Sequence, residues 1–188
     1  MSALPTPRPG PADPVERITA LMAGFSIEVT RPSEADIAGL SLLGGATRIY
    51  ISALPGRPPD EAITAAVRMR AAGFQPVPHI AVRNYTSAEV LDDFLARLNG
   101  EAGVDNVLVI AGDRSECGPF RSALDAIDSG LLPRRGVRTI GIAGYPDGHP
   151  RISDDALSRA LRKNRSCRSN RTCCGDRHSV LLRCACNP

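Results

Sequence analysis

Tryptophan is absent from this sequence and aromatic residues make up only 4% of it, so the packed interior has to be aliphatic rather than a stack of rings. Long apolar runs are missing too. No stretch approaches the roughly 18 residues that a membrane-spanning helix needs. The first 24 residues are rich in proline and broken by Asp13, Glu16 and Arg17, which excludes the continuous apolar segment of a signal peptide. A cytoplasmic protein is the default expectation. Cysteine is nearly missing from the body of the chain: Cys117 stands alone there, while Cys167, Cys173, Cys174, Cys184 and Cys186 crowd the end. A disulfide framework holding the whole fold together is therefore not expected.

Charge is as unevenly placed as cysteine. The net charge is +3, yet Lys163, Arg165, Arg168, Arg171, Arg177 and Arg183 face only Asp176 after residue 162. The body is thus slightly acidic and offers no electrostatic footprint for nucleic acid. Its 188 residues are enough for one sizeable core, and nothing in the length requires two domains.

What the body does contain is a βα rhythm. A loose leader and a short entry helix over 15–23 make up residues 1–23. β-rich runs then follow at 25–30, 47–52, 75–82, 106–111 and 137–143, each succeeded by a helix-like segment. Ser33 with Glu34 and Asp36 starts a helix that ends near Gly44. Pro59-Asp60-Glu61 opens a helix over 62–72, which Gly73 ends, and Thr86-Ser87-Ala88-Glu89 caps a helix over 90–98. Segments 119–128 and 154–161 fill the fourth and fifth helical places. Near-continuous apolar strands joined by helical crossovers imply a mainly parallel sheet. No G-x-G-x-x-G follows the first strand, so the dinucleotide fingerprint is missing. Part of a (β/α)8 barrel is favoured over an open doubly wound sheet.

Ligands in α/β folds sit beyond the carboxyl ends of the strands, and polar residues collect there. They are Glu28 inside strand one, Ser52 ending strand two, Pro78-His79 in strand three, Gly112-Asp113 ending strand four, and Tyr145-Pro146-Asp147-Gly148-His149-Pro150 after strand five. Taken singly, a carboxylate at a strand end is more often a cap, and a lone histidine more often structural. Glu28 is harder to dismiss, because Ile27 and Val29 flank it in a strand expected to be buried. A buried carboxylate is costly unless its pKa rises, which is the setting of a general acid.

The order of these elements resembles the methylenetetrahydrofolate reductase family: an acid in strand one, P-H in strand three, G-D ending strand four and a Y-P-x-x-H-P signature after strand five. The match spans about residues 24–163. The resemblance implies a TIM-barrel type (β/α)8 fold, of which residues 24–162 hold the first five βα units. It also implies FAD as cofactor and reduction of 5,10-methylenetetrahydrofolate to 5-methyltetrahydrofolate with NAD(P)H. By the same resemblance Glu28 would be the general acid and Asp113 would lie near the flavin and the developing cation. Ser52, His79, Ala111, Gly112, Asp113, Tyr145, His149 and Lys163 would bind the cofactor. Ala111 stands where many members have Arg, and Arg151 where Glu is common, which points to a divergent branch.

From about Lys163 the text changes character. Residues 166–175 show neither helical nor strand periodicity, and their Arg/Cys/Ser/Asn enrichment is what a GC-rich gene yields out of frame. The expectation is that 163–188 is non-native, frameshifted sequence that cuts the barrel short, with strands one and five as open edges that invite homo-oligomers or aggregation, and with low activity for this chain. The competing readings are a non-catalytic barrel fragment and a metal or interaction module built on the tail. No C-x-x-C pair supports the metal reading, and no metal is expected. The expected partners are reduced folate and NAD(P)H, with neither nucleic acid nor membrane.

Overall fold

Local signals place the helices much as the sequence implies. In the computed structural model, which describes residues 13–43, 47–115, 118–145, 147–150, 152–159 and the backbone of 179–183, Asp13 caps α1 (Pro14–Met22) by accepting from the Val15 amide at 3.2 Å. Ser33 and Asp36 form a reciprocal capping box on α2 (Glu34–Gly39), where a short 3-10 turn, Leu40–Leu43, replaces the rest of the expected helix. α3 (Pro59–Ala71) begins with proline at its first position, and Ser87 caps α4 (Ala88–Ala102) through the Val90 amide. The fourth helical place holds two short helices, α5 (Ala123–Asp128) and α6 (Leu131–Arg134), because Gly130 adopts a left-handed conformation between them. Residues 154–159 are helical.

Five strands alternate with these helices: β1 (Ser26–Val29), β2 (Arg48–Ile51), β3 (Gln75–Ala81), β4 (Asn106–Ile110) and β5 (Thr139–Ala143). Every neighbouring pair from β1 to β5 is parallel, and spatial order follows chain order. The fold is therefore α/β with a five-strand parallel sheet whose crossovers all step in one direction. A doubly wound sheet reverses direction at a switch point, and this sheet does not. The arrangement is compatible with consecutive units of a (β/α) barrel.

One expectation about the edges is corrected. A sixth strand, β6 (Ser179–Arg183), runs antiparallel to β5 from Thr139↔Arg183 to Ala143↔Ser179, so the edge of β5 is covered rather than open. The run Ser-Val-Leu-Leu-Arg can do this because ladder pairing uses the backbone, whose edge donors and acceptors need partners whatever the side chains are. Among the described residues β1 pairs on one side only.

Alternation within the strands separates two faces. Ile51, Ile80, Val107, Val109 and Ile140 face the helices and join Ile63, Leu91, Leu95, Leu98 and Leu132 in the main core. Ile49 packs with Met69 and Phe74 at the β1 end of that layer. Outside the core, Asp92 of α4 accepts from Arg134 and Arg135, fastening α4 to the end of α6. Those hydrogen bonds, Arg135's foremost, hold its carboxyl well below the usual carboxylate range. Arg70 of α3 donates to the Ala102 and Gly103 carbonyls, both at 3.0 Å, and so closes the carboxyl end of α4.

β3 carries a feature that bears on the site. Pro76 and Pro78 have no N–H to donate, and β3 pairs with β2 over residues 75–78 but with β4 only from His79 onward. His79 stands where the strand changes partners.

Candidate functional site

The helix-free face of the sheet bears its polar residues in rows. Glu28, Tyr50 and Val77 are register partners across β1, β2 and β3. Two residues further along, in the same register, come Thr30, Ser52 and His79 at the carboxyl edge. The Ser52 amide continues the ladder by donating to the Val29 carbonyl at 3.0 Å, which fixes where its side chain emerges.

Three of the expected residues are brought together there. Ser52 Oγ donates to Glu28 Oε1 at 2.6 Å, and His79 Nδ1 lies 3.9 Å from the same oxygen. Thr30 Oγ1 is 3.5 Å from Ser52 Oγ and extends the cluster by one hydroxyl. The His79 side chain is 10% exposed and Nε2 has no hydrogen-bond partner. Burial pushes the imidazole below its ordinary pKa, while the Glu28 carboxylate acts in the opposite direction. His79 is thus neutral near pH 7.

Glu28 differs from expectation. Its side chain is 58% exposed, not buried, although Ile27 and Val29 on either side pack against the core. The reason is topological: β1 is an edge strand and Glu28 points to the face that no helix covers. Burial as the source of a general-acid carboxyl is thereby withdrawn.

The remaining expected residues lie at the same edge but in separate arrangements. Ala111 follows β4 and its carbonyl accepts from the Arg83 amide at 3.0 Å. Gly112 has φ +87°, a conformation that strains any other residue, and a Cβ there would press on the Ala81 Cβ at 3.1 Å. Asp113 beside it is exposed. After β5, Tyr145 takes a left-handed φ of 43° and its ring meets that of His149 edge-on, with centroids 4.7 Å apart. The turn that makes this pair is closed by the Gly148 amide donating to the Tyr145 carbonyl at 3.1 Å. Lys163 and the tail residues Cys167, Cys173, Cys174, His178, Cys184 and Cys186 lie outside the described residues. Among the described residues no group of His, Cys, Asp or Glu could hold a metal ion, and no helix is long and apolar enough to cross a membrane.

A cleft of about 900 Å³ opens beside the cluster, lined by Thr30, Ser52 and His79 and along one wall by α3 from Pro59 to Arg68; Glu28 is not among its lining residues. Sequence reading missed Thr30, Tyr50 and Asn106. Tyr50 is 8% exposed, meets His79 edge-on at 6.0 Å, and has a buried hydroxyl without a partner; Asn106 Oδ1 is likewise buried and unpartnered. The signal was available in part: Arg48, Tyr50 and Ser52 form a polar period of two in strand two. No protein-family model matches the chain.

Proposed function

We propose that the carboxyl edge of this sheet is the flavin and folate site of a methylenetetrahydrofolate-reductase-type enzyme on a TIM-barrel type (β/α)8 framework. The observation that carries the reading is the meeting of Glu28, Ser52 and His79 from three adjacent strands, at the edge where such a site would lie. Sequential parallel winding supports the framework, and Gly112-Asp113 and Tyr145–His149 end the next two strands at that same edge.

The residues fit FAD in kind. His79 offers a buried ring nitrogen with no partner, and Gly112 holds a backbone conformation that lets the chain pass close to Ala81. Ser52, His79, Ala111, Gly112, Tyr145 and His149 would hold the cofactor, with Asp113 beside it. When bound, FAD would supply hydride transfer from NAD(P)H to the folate.

The protein's own part is proton handling and orientation. Ser52 fixes Oε1 of Glu28 and leaves Oε2 for the substrate nitrogen at which the bridged folate ring opens. Neutral His79 stays 3.9 Å behind the carboxyl group and adds no positive charge beside the cation that develops on ring opening. Asp113 would supply negative charge to that cation.

The test uses the full chain. Purified protein should show the flavin absorption bands, bleach under NADH or NADPH, and recover its colour with 5,10-methylenetetrahydrofolate. Glu28→Gln should keep the flavin and the bleaching while slowing folate-dependent recovery about 100-fold or more. Colourless protein that takes up no added FAD sinks the reading and favours a non-catalytic barrel fragment.

A further inference from the structure

One stretch of surface takes no part in the site. Pro14 to Ala20 and Met22 of α1 are all exposed, so none of these residues is covered by the described chain. Val15, Ile18 and Met22 recur at helical spacing and make an apolar stripe, and Phe25, just beyond the helix, is exposed as well. Helices shorter than about 12–15 residues are marginal in water on their own, so a helix as short as α1 calls for a surface to lie on.

The stripe leads into an open strand edge. Among the described residues β1 pairs with β2 alone. The Val29 carbonyl accepts from the Ser52 amide, and Ile27 and Val29 are the register partners of Ile49 and Ile51. By alternation the amides and carbonyls of Ser26 and Glu28 point away from β2, where a strand of another chain can meet them.

A second copy fits that edge by its own sequence. Antiparallel pairing about a two-fold axis through Ile27 sets Ile27 against the partner's Ile27, Phe25 against the partner's Val29 and Glu28 against the partner's Ser26. One face of the seam is then apolar throughout, on the side where Ile27 and Val29 already pack with the helix layer. An axis through Glu28 would put like charges opposite each other, and one through Val29 would set Ile27 against the partner's Arg31. Because only Ala23, Gly24 and Phe25 separate α1 from β1, the same pairing carries α1 to the seam. Val15, Ile18, Met22 and Phe25 expose on the order of 400 Å², about half of the ~800 Å² that each partner of a stable dimer gives up, before the strand edge is counted.

We propose that this chain forms a two-fold dimer in which β1 pairs antiparallel with β1 of a second copy, centred on Ile27, and that copy covers the apolar stripe of α1. Such a contact uses the same patch on both copies and so closes at two. It narrows the open-edge association expected from the sequence to one edge and one register, and it does not depend on the flavin reading.

Sedimentation velocity on the full chain over a range of concentrations tests it, with a species of twice the chain mass expected. Ile18→Glu and Met22→Glu lie on an exposed helix, so the fold survives them, and each should weaken the dimer about tenfold or more. Ser26→Pro removes an amide that the β1–β2 ladder does not use and should give monomer. Val90→Glu, an exposed apolar position on α4, should change nothing. Under mild oxidation Ile27→Cys should link two copies, a band absent from the unsubstituted chain, whereas Val29→Cys should not. A chain that stays monomeric at every concentration overturns the proposal. So do assemblies that grow past two without a dimer, a dimer indifferent to Ser26→Pro and Ile18→Glu together, or linkage through Val29→Cys in place of Ile27→Cys.

Discussion

The two faces of the sheet are cut from alternate residues of the same five strands, yet they differ in kind. On the helix side, Ile51, Ile80, Val107, Val109 and Ile140 meet helices whose apolar residues close over them. On the other side, Tyr50, Val77 and Leu108 make a small apolar cluster, and the buried side-chain polar atoms without partners among the described residues, Tyr50 Oη, His79 Nε2 and Asn106 Oδ1, lie there. One face is a finished core. The other holds polar groups in reserve, at a cost in stability that a fold bears where it has a ligand to meet.

The sharpest way to break this contrast is a cavity on the helix side. Leu95 is 1% exposed, so Leu95→Ala should lower stability by about 2–5 kcal/mol in urea unfolding. A loss no larger than that of a surface substitution would remove the distinction between the faces.

A smaller effect of opposite sign is expected on the other side. Tyr50→Phe removes a buried hydroxyl that bonds to nothing and keeps the ring on His79, so the midpoint should stay level or rise, by up to about 1 kcal/mol. Marked destabilisation would mean that the hydroxyl has a partner.

The smallest effect is a proton shift. The His79 resonance should titrate below the ordinary histidine range, and Glu28→Gln should lower it further, since the carboxylate is the only influence raising it. The folded imidazole takes its proton at lower pH than the unfolded one. Its contribution to stability is therefore complete above the ordinary histidine pKa and is lost as the pH falls from there through the folded value. Glu28→Gln should widen that window on the acid side. An upward shift measured by NMR titration in the variant would contradict the arrangement.

How much of this was legible depends on the range of the interaction that decides it. Strands β1 to β5 and the helices between them were readable, because period and caps are local: Ser33 with Asp36, Ser87, and Pro59 act within four residues of themselves. β6 was not readable, since its place is set by an edge that lies some forty residues earlier in the chain. The site was half readable. Glu28, Ser52 and His79 could be named from their positions at strand ends, but the exposure of Glu28 could not, because its apolar neighbours point the opposite way into the core.

By itself, then, the sequence determined the alternation of strand and helix, the parallel character of the sheet, and which polar residues end the strands. These follow from periodicity and turn chemistry within a few residues. Only the tertiary structure decided that the strands lie in chain order, and that Glu28 is open to solvent while His79 is buried behind it. Those depend on which surfaces meet, and a linear pattern carries no record of that.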